Sequence, residues 1–190
     1  MRDEKNWIER TRPSYIKMYL PRIQKALQEI EEPEDIPEII ESYYIHSSVG
    51  YGKTILAAQM MLKEQKRIWT NDGPRDNSEK CLFVSTPTLF QEIKNTYNKN
   101  SDIPEQQVID KYNECHLLVL DDFGTSKPTD FVLQTLYLII NHRYDYLKKI
   151  ILTSNLTLGE VAELFGDDRI ISRIERMCEI IEKQDWRKKK

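Results

Sequence analysis

The run Ser47-Ser48-Val49-Gly50-Tyr51-Gly52-Lys53-Thr54 constrains this chain more than any other stretch, because it ends in Gly-Lys-Thr and stands between two apolar segments of different period. Before it, Tyr43-Tyr44-Ile45 reads as a short buried strand; after it, residues 55–62 read as a helix. A loop of this kind wraps phosphates with its own N–H groups, and the N-terminus of the following helix aims unpaired donors at the same point. Ser48, Val49, Gly50, Tyr51, Gly52, Lys53 and Thr54 are therefore candidate nucleotide-binding residues. Lys53 is placed to reach β/γ oxygens, and the Thr54 hydroxyl to ligate Mg²⁺. The pattern expects glycine where Ser47 stands, so the loop must open on a residue with a Cβ. Serine is small, and its hydroxyl can satisfy a turn. The expected ligands are ATP and Mg²⁺.

The apolar run Leu117-Leu118-Val119-Leu120 closes on Asp121-Asp122, the second half of such a site. Asp121 is the candidate holder of the metal, through water. Asp122 is the candidate acid acting on the attacking water, since adjacent carboxylates can divide these roles. Thr153-Ser154-Asn155 ends a further apolar run, where an amide can orient a water or the γ-phosphate; the competing reading makes Asn155 a cap for the next helix. Arg169 and Arg173 lie four apart, hence on one helix face. Either can act across a subunit boundary on a phosphoryl transition state, and either can belong to a surface laced with Asp167, Asp168 and Glu175.

Apolar runs and helical segments go on alternating. Strands are expected at 81–85, 117–120, 148–153 and 179–182, helices at 88–97, 105–113, 129–147, 158–165 and 168–175, and loops at 70–78 and 98–104. This order predicts an α/β fold of three layers around a central, mostly parallel sheet. At 190 residues the chain suffices for one well-buried core, placed at 38–190. Residues 6–30 read as helical, interrupted by Pro13 and Pro21, so 1–37 is expected to be a helical lead-in or a partner-docking arm. A net charge of −3 leaves any nucleic-acid contact to a local basic patch.

Cys81, Cys115 and Cys178 stand singly without CxxC spacing, as buried thiols do in a reducing compartment, and His46, His116 and His142 show no ligand spacing. The start lacks an apolar signal core, and no apolar run approaches the roughly 18 residues of a membrane span. A cytoplasmic protein with no membrane partner is expected.

Five segments in order resemble the DnaC/DnaI helicase loaders and IstB transposition ATPases, which are AAA+ proteins. They are Gly50-Tyr51-Gly52-Lys53-Thr54, Leu117-Leu118-Val119-Leu120-Asp121-Asp122-Phe123-Gly124, Ile139-Ile140-Asn141-His142-Arg143-Tyr144, Thr153-Ser154-Asn155-Leu156 and Arg169-Ile170-Ile171-Ser172-Arg173-Ile174. The ending Asp185-Trp186-Arg187 is similar too. The resemblance implies an AAA+ P-loop fold with no substantial C-terminal lid domain. In it Asp122 takes the catalytic acidic position, Asn155 the sensor-1 position and Arg173 that of the arginine finger, with Arg169 as a second candidate acting in trans. A finger implies a homo-oligomer, because its target is the neighbour's nucleotide. The family's DNA-binding helical segment matches residues 89–113, where Lys94, Tyr97 and Lys99 combine charge with a stacking ring; a solvated helix face is the competing reading.

The function so implied is ATP hydrolysis at subunit interfaces that loads a hexameric replicative helicase on single-stranded DNA during replication. Two other readings share the motifs: an IstB-like transposition helper that presents target DNA to a transposase, and a nucleotide-gated DNA- or protein-binding module with little turnover. A small P-loop kinase needs an acceptor site and an arginine-rich lid, and the acidic pair with Asn155 argues against it.

Overall fold

Strands buried on both faces must be apolar at consecutive positions, and the central strands here are. The computed structural model describes residues 12–17, 19, 21–29, 36–72, 81–98 and 102–182. Its strands are β1 (Ser42–His46), β2 (Cys81–Ser85), β3 (Leu117–Phe123), β4 (Lys149–Ser154) and β5 (Cys178–Glu182). They form one sheet in the order β2-β3-β4-β1-β5, with every neighbouring pair parallel. The helices are α1 (Arg12–Ile16), α2 (Pro21–Glu29), α3 (Lys53–Asp72), α4 (Thr86–Asn95), α5 (Glu105–Glu114), α6 (Asp130–Asp145), α7 (Leu158–Phe165) and α8 (Asp168–Met177).

The period-2 alternation of each strand sorts its side chains between two apolar clusters. Tyr43, Ile45, Leu117, Val119 and Ile151 meet Ala57, Ala58, Met60 and Met61 of α3, and Ile16, Ile23 and Leu27 of the first two helices join them. On the other face Tyr44, Leu118, Leu120, Ile150 and Leu152 meet Leu89, Ile93, Ile109, Leu136, Ile139, Val161, Ile170 and Ile174 from α4 to α8. The outcome is the expected three-layer α/β arrangement around a central parallel sheet. Among the described residues no helix is long and apolar enough to cross a membrane. The expected ending at 185–187 and the sequence before residue 12 lie outside the described residues.

Several boundaries differ from expectation for local reasons. α3 runs through Thr70 to Asp72, where turn-forming residues predict a loop, because Ile68 and Trp69 are buried and keep its last turns on the core. α4 begins at Thr86 rather than Thr88. Ser85 ends β2 and at once caps the helix, accepting from the Thr88 N–H, while Pro87 fits a first turn that needs no N–H. β3 does not stop at Leu120 but continues to Phe123, with a register irregularity against β4 between Leu120 and Phe123. Both acids therefore lie inside the strand, beside a bulge that re-aims them. β4 ends at Ser154, and β5 starts at Cys178.

Candidate active site

The phosphate loop leaves the carboxyl end of β1, between β4 and β5, and enters α3 at Lys53. Gly50 and Gly52 take φ of +89° and +77°, which side-chain-bearing residues rarely adopt, so these two glycines are what let the loop turn. Ser47 does not share that need. Its φ is not positive, its N–H donates to the Ser154 carbonyl at 3.3 Å, and its oxygens face Lys53. A Cβ at that position is thus compatible with the loop.

Lys53 is almost fully buried and donates from Nζ to the Ser47 carbonyl at 2.8 Å, the Ser48 carbonyl at 3.0 Å and Asn155 Oδ1 at 2.8 Å. Burial pushes its ammonium below its ordinary pKa, partly offset by the carboxylates of Asp121 and Asp122. The neutral oxygens now around it are weaker partners than phosphate oxygens.

Thr54 Oγ1 donates to Asp121 at 3.0 Å and 3.2 Å from its two oxygens, so the two residues expected at the metal already touch. A hydroxyl beside a buried carboxylate is a hard-oxygen pair that fits Mg²⁺. Asp122 is exposed at φ +58°, and its N–H donates to Thr153 Oγ1 at 3.2 Å.

Asn155 does not cap the next helix. Thr157 caps α7 in a reciprocal box with Glu160, so the Asn155 amide is not needed there and its oxygen accepts from Lys53. Lys53, Thr54, Asp121, Asp122 and Asn155 are thereby gathered at the carboxyl edge of β1, β3 and β4, where open α/β sheets bind ligands.

Two residues of this cluster have little signal in sequence. Thr153 Oγ1 bridges the acids, donating to Asp121 Oδ1 and accepting from the Asp122 N–H, and the buried Thr86 hydroxyl donates to the Asp121 carbonyl at 3.0 Å. The only hint of Thr153 is a hydroxyl closing an otherwise apolar strand.

Arg169 and Arg173 share one face of α8, as their spacing predicts, and meet α6 rather than the phosphate loop of their own chain. Arg169 is paired with Asp167, at 3.0 Å from Nε and 2.8 Å from Nη2, as the surface reading expects; Arg173 donates to Asn141 Oδ1 at 2.6 Å. Lys94 and Tyr97 are both exposed and converge on Phe131, with Nζ 5.2 Å from the ring centroid and the Tyr97 ring edge-on at 6.4 Å; Tyr97 also donates to Glu105 at 2.7 Å. Lys99 lies outside the described residues. The cysteines are buried free thiols, and no group of three or more His, Cys, Asp or Glu side chains that could hold a metal ion occurs among the described residues.

The chain is 24% identical over 98 residues to the replicative helicase loader DnaC of Buchnera aphidicola subsp. Baizongia pistaciae, a match covering 52% of this chain and 39% of that protein's length. A crystal structure of the DnaC helicase loader superimposes with a TM-score of 0.60 at 22% identity, over 96% of this chain and all of that one. DnaA from Aquifex aeolicus, bound to AMPPCP, superimposes with a TM-score of 0.62 at 21% identity, over 97% of this chain and 48% of that one. The family described as IstB-like ATP binding protein matches residues 43–190, which take in the phosphate loop, both acids, Asn155 and the two arginines; the chain belongs to that family of ATP-binding proteins.

Proposed function

We propose that this protein is a cytoplasmic ATPase of the helicase-loader type, which hydrolyses ATP between subunits of a homo-oligomer and couples that cycle to single-stranded DNA and a hexameric replicative helicase. The observation that carries the reading is the joined pair of contacts at the loop, Lys53 to Asn155 and Thr54 to Asp121, which tie phosphate, metal and water-orienting groups together. In this reading Ser48 to Thr54 wrap the phosphates. Lys53 exchanges its carbonyl partners for β/γ oxygens, and Thr54 and Asp121 hold Mg²⁺. When bound, that ion neutralises charge developing on the transferred phosphoryl group. Asp122 accepts the proton of the attacking water, Asn155 orients that water, and Arg173 of a neighbouring copy faces the γ-phosphate, with Arg169 beside it.

Helicase loading is supported by the likeness to DnaC, and the family's IstB type supports transposition help as the second reading. Lys94, Tyr97 and Lys99 are the proposed DNA contacts, and residues 1–37 the proposed docking arm. The experiment is retention on single-stranded DNA of a hexameric helicase or of a transposase, with wild-type protein and with Lys53→Ala. ATP-dependent retention of helicase alone, lost in Lys53→Ala, supports loading. Retention of transposase alone moves the assignment to transposition, and equal helicase retention by Lys53→Ala sinks the ATP-driven account.

A further inference from the structure

We propose that Tyr137 and Asn141 of α6 are positioning residues that hold Arg173 in a preset pose for an anion brought by a second copy of this chain, with Arg169 as support rather than ligand. The proposal rests on the intersubunit hydrolysis reading above and deepens it. Among the described residues the guanidinium of Arg173 donates only to neutral oxygens: Nε to Asn141 Oδ1 at 2.6 Å, Nη1 to the Arg169 carbonyl at 2.9 Å and Nη2 to the Tyr137 hydroxyl at 3.4 Å. Its Cζ stands 5.0 Å from the Tyr137 ring centroid and 5.9 Å from that of Tyr144. No carboxylate among the described residues pairs with it.

Arg169 differs, because Asp167 takes its Nε and Nη2 while its Cζ stacks 4.8 Å from the same Tyr137 ring. One ring thus carries two cations, tolerated because one has its own counter-ion. The other keeps its charge for a new partner, in a geometry already fixed by the fold; a pre-ordered guanidinium loses little freedom when an anion arrives. The cradle is itself anchored. Asn141 donates from Nδ2 to Asp145 at 2.7 Å, and Tyr137, Asn141 and Asp145 follow each other at i, i+4 along one face of α6.

The test is phosphate release from ATP by the full chain as wild type, Asn141→Ala, Tyr137→Leu, Tyr137→Phe and Arg173→Ala, alone and mixed with Lys53→Ala subunits, beside binding of a fluorescent ATP analogue. Asn141→Ala and Tyr137→Leu should lower kcat about 10- to 100-fold while analogue affinity stays within about two-fold. Tyr137→Phe, which retains the ring, should recover most of the Tyr137→Leu loss. Lys53→Ala subunits, whose cradle is intact, should restore hydrolysis in mixtures with Asn141→Ala.

Wild-type rates in Asn141→Ala and Tyr137→Leu beside an inactive Arg173→Ala overturn the proposal and leave the intersubunit reading standing. A wild-type rate in Arg173→Ala overturns both. Nitrogen relaxation at the Arg173 side chain of the free protein needs no turnover: a rigid Nε loosened by Asn141→Ala supports the cradle, and an Nε as mobile as that of a solvated arginine overturns it.

Discussion

Asp122 holds a backbone conformation, φ +58°, that costs most L-residues about 1–2 kcal/mol but is tolerated by aspartate and asparagine. Asp122→Asn should therefore melt with the wild type, and Asp122→Ala should lose about 1 kcal/mol in denaturant titrations, while both lose phosphate release. A second residue-scale effect sits on α3. Burial pushes the Glu64 carboxyl up, but hydrogen bonds with Arg67 and His116 outweigh it and hold the pKa at about 2, against an ordinary 4.5. With the folded value depressed, this stabilisation is complete above the unfolded value and is lost as pH falls toward the folded one. Wild-type stability should thus fall from about pH 5 toward pH 2, and Glu64→Gln should show a shallower fall over that window. The placement of Lys53, Thr54, Asp121 and Asp122 together was legible in sequence because it follows from adjacency within one loop or one strand end. Thr153 was not, since its bridge depends on β3 and β4 pairing around a bulge.

At the scale of elements, Arg143 joins two chain reversals. It is fully buried on α6 and donates to the carbonyls of Tyr112, Asn113 and Cys115 at the end of α5 and of Lys149 at the start of β4. Removing the guanidinium takes a charged donor from each of these carbonyls, so Arg143→Leu should lower stability by at least about 3 kcal/mol in denaturant titrations. This role lay outside what the sequence could reveal, because all but one of these partners are backbone atoms some 30 positions away in the chain. Strands and helices from β1 to α8 were largely legible, the runs being short and apolar and the caps chemically typical. The boundaries that slipped did so where packing or capping overrode local signals: α3 continued through turn-forming residues over buried Trp69, and α4 started with no intervening loop. The amide of Asn155 was ambiguous in sequence for a related reason, since three polar residues precede α7 and only the observed box assigns the cap to Thr157.

For the whole molecule, the strand order places the phosphate loop between β4 and β5, so the acids of β3 and the amide after β4 face it from one side. The arginines of α8 pack on α6, without a contact to that loop in the same chain. In the proposed function a second copy completes the nucleotide site, and turnover is what that reading requires. The most direct measurement is phosphate release from ATP with and without single-stranded DNA, using wild type and Asp122→Asn at matched nucleotide occupancy. Release that DNA stimulates, and that Asp122→Asn abolishes while still binding ATP, is the predicted result. Release by Asp122→Asn equal to that of the wild type in both conditions would contradict it.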